Sequence, residues 1–394
     1  SLAAYGAAFS IFLSDIVTLP APWLERNLEI LGQTVVWQFG LRQIIGIIVI
    51  AIFTGVNLAG VAFGGRVQTF LTSLKVIALL GLIGGVFLFA QGNGGEAAAA
   101  TGSALANLEP APALTMSAFG FAMLSALWAY SGWQYLPMAA AEVHDPARNV
   151  PRAVIGGGLL VVALYLLVNA AYFHALPFDA VVTSSSTAHP DAPAVGARAA
   201  QTFLGAHALP IAAIIFLVST VGSLNGVLLT RARVPYAAAL DGLFFQRFAR
   251  LSPGASVPAA SVAMHGVLAA LFAASGTFDQ LTNLATLIFV LFWALAGIAL
   301  LVLRRKLADA PRPFRVPAFP LVPLAFVLIM GGVLVSTIIE SPAEAGAAFA
   351  LLALGLPLYP LFRGRRRGPA WITKNSSTSV SGRAWGRRSS TPCW

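Results

Sequence analysis

Hydrophobic residues fall along this chain in long runs separated by short polar joints. The runs are Leu2–Thr18, Gly46–Ala62, Phe70–Ala90, Thr115–Ala141, Ala153–Leu176, Leu209–Leu229, Ala259–Ala274, Leu281–Leu303, Leu321–Ile339 and Ala347–Leu361. Most are apolar all round rather than along one stripe, as expected of a helix whose surroundings are themselves apolar. Crossing a bilayer core takes ~20 mostly apolar residues. Only a helix satisfies every backbone N–H and C=O within one such segment; a membrane β-barrel would show short alternating strands instead. The pattern predicts an all-α transmembrane protein with about ten membrane segments, the first of them short, and no separate soluble domain.

Composition points the same way. The chain is 58% hydrophobic and only 10% charged, where a soluble domain carries roughly 25% charged residues. The net charge of +10 is distributed by loop. Arg66 follows the second run, Arg148 and Arg152 the fourth, Arg231, Arg233, Arg247 and Arg250 the sixth. Arg304, Arg305, Lys306, Arg312 and Arg315 follow the eighth, and a last cluster begins at Arg363. The alternate loops carry Glu25, Glu29, Glu96, Glu109, Asp179, Asp191, Asp279 and Glu340, with few basic residues. The positive-inside rule places the basic loops and the C-terminus in the cytoplasm, so the chain is expected to be a multi-pass protein of the cell (inner) membrane. Basic residues spread over alternate loops form no nucleic-acid-binding face.

Other chemistry is thin. The single cysteine, Cys393, leaves no internal disulfide framework and no Cys-ligated metal cluster. His174, His189, His207 and His265 lack zinc-like spacing. Gly156–Gly158 has no phosphate-loop context, and no nucleophile–base–acid set can be assembled. No cofactor, no metal and no enzymatic activity are predicted. The chain opens inside an apolar run without a basic leader, as a sequence cut at its N-terminus would. Residues 1–362 read as one multi-helix unit. Residues 363–394 read as a basic polar tail, either a disordered cytosolic extension or out-of-frame translation.

Two places break the apolar pattern in ways that bear on function. The first is LWAYSGWQYLPMAAAEVHDPARNVPRAVIGG, residues 127–157. Ser131–Gly132 sits in the middle of a run beside Trp128, Tyr130, Trp133 and Tyr135, and Pro137 follows. Relative to Ala, Gly costs a helix ~1 kcal/mol and Pro ~3 kcal/mol. Two readings fit: a proline-kinked helix with packed aromatics, or a helix interrupted at membrane depth, which is tolerated where it lines a cavity and offers free backbone groups to a solute. The second is Lys75, an ammonium inside an apolar run, where insertion costs ~2.5–3.5 kcal/mol. It either snorkels toward the cytoplasm or has a fixed partner. Ser219, Ser223 and Asn225 are small or polar residues in the sixth run. Such residues permit close helix packing or face a site.

Residues 129–155 resemble the sixth helix and following loop of the amino acid–polyamine–organocation superfamily, including its L-type and bacterial amino acid permeases. The matching positions are Ala129, Tyr130, Gly132 and Trp133, then Glu142, Val143, Asp145, Pro146, Arg148, Asn149, Val150, Pro151, Ala153 and Ile155. Ala141 stands where many relatives have a second acid. STVGSLNGVLLTRARVPYAAALDGLFF (219–245) resembles that family's eighth helix, and NLAGVAFGGRVQTFLTSLKVIALLGLI (57–83) its fourth and fifth.

The resemblance implies a LeuT-like five-plus-five inverted repeat, here lacking helices 1 and 2 and running from part of the third helix to the twelfth. It implies secondary transport of amino acids or related amines by alternating access. Trp128 would gate the substrate, Tyr130, Ser131 and Gly132 would offer backbone groups, and Gln134 would face the substrate side chain or make an interhelical hydrogen bond. Lys75, with Ser219, Ser223 and Asn225, would stand in for a coupling cation, implying sodium-independent exchange or proton coupling. The expected partners are a small amino acid and the lipid bilayer. A partner subunit stays unassigned, since heteromeric members use an external cysteine and Cys393 falls on the other side. Two other readings are a non-functional fragment of such a transporter and a membrane-embedded enzyme or receptor, for which no paired ionisable groups are seen.

Overall fold

The computed structural model describes residues 1–30, 33–90, 126–185, 192–275, 278–310, 314–340 and 342–358, together with residues 119, 123, 189, 312 and 360. Thirteen α-helices are defined among them. They are α1 (Leu2–Ser14), α2 (Leu41–Leu58), α3 (Val61–Phe89), the single turn α4 (Tyr135–Met138), α5 (Pro146–Ala175), α6 (Phe178–Val182) and α7 (Val195–Leu204). There follow α8 (Ala208–Arg231), α9 (Arg233–Leu240), α10 (Ala259–Ser275), α11 (Phe278–Lys306), α12 (Leu321–Glu340) and α13 (Pro342–Ala353). Residues 126–129 are also helical.

Among the described residues six stretches are long and apolar enough to cross a membrane: Leu41–Leu58, Val61–Phe89, Pro146–Ala175, Val195–Leu240, Leu284–Lys306 and Leu321–Ile339. The chain is therefore a multi-pass membrane protein. Four of the ten expected segments are not among these six. Leu2–Thr18 yields only the 13-residue α1, because Asp15 and the Pro20–Pro22 stretch end it. Ala259–Ala274 yields a 17-residue helix, and Ala347–Leu361 overlaps the 12-residue α13. Thr115–Ala141 lies partly outside the described residues, as the 363–394 tail does wholly. The joint between α1 and α2 holds an element that helical periodicity did not predict. Leu24–Ile30 pairs antiparallel with Gln33–Phe39 in a hairpin (β1, β2), with Leu24 opposite Phe39 and Ile30 opposite Gln33. Its second strand reads Thr34-Val35-Val36-Trp37, β-branched and aromatic residues that favour strands. Trp37 anchors it by donating its indole N–H to the Ala274 carbonyl at the end of α10, 3.0 Å away.

The helices at the centre are α1, α2, α8 and α10, each touching the other three. Their shared core contains Leu2, Ala4, Ile50, Leu224, Leu228 and Ala273. Van der Waals packing rather than hydrophobic exclusion holds helices together in lipid, so small residues at crossings matter. A Cβ on Gly46 would lie 2.8 Å from the Gly6 carbonyl oxygen, and one on Gly6 would lie 3.1 Å from the Gly46 oxygen. The backbones of α1 and α2 therefore meet directly. A Cβ on Gly266 of α10 would fall 2.5 Å from Thr54 Oγ1 of α2. Around this centre, α3 packs on α8, α5 and α7, while α11 packs on α12 and α13. Large aliphatic and aromatic side chains such as Phe70, Ile77, Leu159 and Leu328 are exposed on the outer surface, which a bilayer covers and water does not.

Gly46→Ala forces a methyl against backbone that has no rotamer to yield. Overpacking of this kind costs about 1–3 kcal/mol, and detergent-purified Gly46→Ala is expected to melt several degrees below the parent. Gly55→Ala in the same helix meets nothing within 4 Å, and is expected to melt at or above the parent temperature. Equal melting of the two variants would show that the crossing is not close.

Candidate substrate site

The helix at residues 126–129 does not continue. Residues 130–134 turn, with Gly132 at φ +134°, a conformation that L side chains rarely adopt. The helix resumes as α4 and passes into a 3₁₀ turn, Ala140–Glu142, before α5 starts at Pro146. The Ser131 amide bonds to the Trp128 carbonyl and the Tyr135 amide to the Gly132 carbonyl, both at 3.0 Å. Among the described residues the carbonyl oxygens of Tyr130 and Ser131 accept no hydrogen bond. The Gly132 amide is engaged by Gln134, whose Oε1 accepts it at 2.8 Å, while Gln134 Nε2 is buried with no partner among the described residues. Two carbonyl acceptors and one orphaned amide donor thus mark this interruption.

Aromatic rings surround it. Trp128 packs on the central core, 5.8 Å from the ring of Tyr5 on α1. Tyr130 lies 5.0 Å edge-on to Tyr165 of α5, whose hydroxyl donates to the Ala129 carbonyl at 3.0 Å. Trp133 points the other way, toward Trp293 of α11, 5.6 Å off. The residues 126–142 therefore touch α1 on one side and α5 and α11 on the others.

Below the interruption two arginines from the α8–α9 junction hold the chain. Arg231 donates to the Tyr135 hydroxyl at 2.9 Å and stacks its guanidinium 4.7 Å from the Phe289 ring centre. Arg233, itself buried, grips Glu142 with two bonds, Nε to Oε1 at 2.5 Å and Nη2 to Oε2 at 2.7 Å. Bidentate arginine–carboxylate pairs are short, strong and geometrically specific. Both ends of the segment 135–142 are thereby tied to the central helices.

The Lys75 cluster is a separate neighbourhood. Lys75 Nζ on α3 donates to Ser223 Oγ on α8 at 2.9 Å, and Ser223 Oγ donates to the Ser219 carbonyl at 3.1 Å. Gly222 lets the lysine through: a Cβ there would lie 3.0 Å from Lys75 Cε. Among the described residues no carboxylate pairs with Lys75. Asn225, fully buried, does not join it. Its Nδ2 donates to Gln68 Oε1 at 3.0 Å and to the Gly64 carbonyl at 3.1 Å, and its Oδ1 accepts from Asn57 Nδ2 at 2.9 Å. That network bridges α2, α3 and α8.

The expected site residues thus fall into three groups. Trp128, Tyr130, Ser131, Gly132 and Gln134 lie together at the interruption; Lys75, Ser219 and Ser223 lie together between α3 and α8; Asn225 belongs with Asn57 and Gln68. Sequence reading missed Tyr5, Asn57, Gln68 and the Arg231–Tyr135 and Arg233–Glu142 ties. Asn57 was the one findable signal, a lone amide in an apolar run. Among the described residues no group of three metal-binding side chains occurs.

With this geometry in place, comparison with known proteins is informative. The family described as amino acid permease matches residues 1–356. The chain is 28% identical over 325 residues to the serine/threonine exchanger SteT of Bacillus subtilis, covering 82% of this chain and 70% of that protein. It is 30% identical over 323 residues to the human b(0,+)-type amino acid transporter 1, covering 82% and 62%. It is 28% identical over 332 residues to the human cystine/glutamate transporter, covering 83% and 61%. The chain spans between 61% and 70% of the length of these relatives, all of them transporters rather than enzymes. A helical segment interrupted at Gly132, the Glu142-to-Ile155 signature beyond it and a match over nine-tenths of the sequence lead to one conclusion: the chain belongs to the amino acid permease family.

Proposed function

We propose that this chain transports amino acids across the cell membrane by alternating access, as a sodium-independent exchanger or a proton-coupled carrier. The observation that carries this reading is the interruption at residues 130–134, packed between the central helices and α5 and α11, with its Tyr130 and Ser131 carbonyls unbonded among the described residues. An α-ammonium group has three donors and needs such acceptors; interrupted membrane helices supply them where they line a cavity. Trp128, packed at a tilt against Tyr5, is the lid over that point. Gln134, with an orphaned amide, reads the substrate side chain. The Lys75 ammonium, fixed on Ser223, supplies between α3 and α8 the positive charge that a coupling cation would otherwise bring.

Alternating access needs one body that moves against another. The four mutually packed helices α1, α2, α8 and α10 are the scaffold, and residues 126–142 belong to the moving part. The ties Arg231–Tyr135 and Arg233–Glu142 then form the cytoplasmic gate, closed in this structure. The arginine-rich loops support a cytoplasmic side for these residues and for the C-terminus. Serine and threonine are the first substrates to try, because the relative SteT is named as their exchanger. One relative is named a small subunit, so a second chain in the working assembly is part of the reading to be tested.

Purified protein in liposomes is expected to take up labelled serine or threonine with sodium replaced by choline. Internal unlabelled amino acid is expected to accelerate uptake for an exchanger; an inward proton gradient does so for a coupled carrier. Failure to move any amino acid or polyamine would defeat the proposal. In that system Trp128→Ala is expected to lower uptake at least tenfold at unchanged expression, while Trp128→Phe keeps a substantial part; full uptake by Trp128→Ala removes the lid assignment. Lys75→Met is expected to abolish uptake with sodium present or absent, and normal transport would dismiss its cation role.

The gate makes its own prediction. With Cys393→Ser as background, a Ser131→Cys reporter is expected to react faster with a cytoplasmic impermeant thiol reagent when Glu142→Gln or Arg233→Gln is added. The double variant should be no faster than the faster single one, because each change removes the same pair. Additive effects would mean the two residues act separately.

A further inference from the structure

The first turns of α5 carry Arg148 and Arg152, one helical turn apart, both exposed. Continuing along the helix in steps of three and four come Ile155, Leu159, Val162 and Leu166, exposed by 50%, 66%, 41% and 66%. Residues at this spacing lie on one face. The face therefore has two guanidiniums at the membrane surface and a strip of bare aliphatic side chains leading from them into the hydrocarbon. Phe314, from the loop between α11 and α12, stands opposite and closes a cleft of 470 Å³ over Ala147, Arg148, Pro151, Arg152 and Ile155. Among the described residues neither arginine has an ion-pair partner; the ion pair they contain is Arg233–Glu142. Asp145, just ahead of the helix, pairs with neither arginine.

We propose that this cleft holds one anionic phospholipid. Its phosphate sits between Arg148 and Arg152, its backbone under Phe314, and an acyl chain runs along Ile155, Leu159, Val162 and Leu166. Basic pockets beside spanning helices recognise anionic head groups, and the positive end of α5 adds to the field. A free phosphate would satisfy the arginines but leave the aliphatic strip unused. A choline head group would bring a cation toward two others. The bound lipid would also steady Val143–Asp145, the link between Glu142 and α5.

The test uses the full chain in detergent, with phosphatidylglycerol and phosphatidylcholine offered at equal concentration and retained lipid read by native mass spectrometry. One phosphatidylglycerol per chain is expected to persist, preferred at least tenfold over phosphatidylcholine, and millimolar inorganic phosphate should not displace it. Arg148→Gln with Arg152→Gln is expected to erase the preference. Phe314→Ala, which touches only the loop wall, should weaken retention and keeps the test alive if the double variant fails to fold. Equal retention of the two lipids, or a preference untouched by the substitutions, overturns the proposal. Displacement by inorganic phosphate would show a site for a small anion, and overturns it as a lipid site.

Discussion

A bilayer core has no water to satisfy a stranded amide or carbonyl, and that constraint governs the whole molecule. Helices meet it without help. An interruption such as 130–134 meets it only if protein encloses the unwound backbone. Much of the remaining architecture follows from this requirement. The Gln134 side chain bonds the Gly132 amide, the Tyr165 hydroxyl reaches the Ala129 carbonyl, and α1 brings Tyr5 against Trp128. What is left unbonded, at Tyr130, Ser131 and the Gln134 amide, is what a polar solute would occupy.

The scaffold beneath the interruption is rigid for a different reason. Where Gly6 meets Gly46, backbone touches backbone, and no side chain can adjust. The polar network Asn57–Asn225–Gln68 locks α2, α3 and α8 at their joint, beside Gly60, where α2 ends and α3 begins. Against that fixed frame, the segment 135–142 is held by two arginines, through a hydroxyl and a carboxylate. Polar ties of this sort exchange partners at lower cost than packed backbone moves. They are suitable places for a gate, and the glycine crossing is suitable for a pivot-free base.

Much of the fold was legible from one-dimensional pattern. Long apolar runs became helices, and of the two readings left open at Ser131–Gly132–Pro137, a kink or an interruption, the backbone takes the interruption at 130–134. The limits are equally physical. Apolar length does not distinguish a full crossing from a short helix, so Leu2–Thr18 yields a helix of 13 residues and Ala347–Leu361 only overlaps one of 12. The hairpin Leu24–Phe39 has too little alternation to stand out, and depends on the distant Ala274 carbonyl for its anchor. At the candidate site the interruption residues lie together, and Lys75 of α3 meets Ser223 of α8. Asn225 bonds Asn57 and Gln68 instead, because two residues on a helix separate side chains by about 200°, turning it away from Ser223 and Lys75. The arginine ties were invisible because charges at segment ends were read only for topology.

The bond from Trp37 to Ala274 spans 237 residues. A ribosome making this chain has inserted α1 and α2 long before it reaches α10, so these two helices wait in the bilayer for that neighbour. The 18-residue α2 has the length for that interval. The Gly6–Gly46 crossing of α1 with α2 can form at once, because the two helices are chain neighbours. A backbone-to-backbone contact of the finished protein is thus one that biosynthesis can make early, while the hairpin's anchor at Ala274 has to wait for α10.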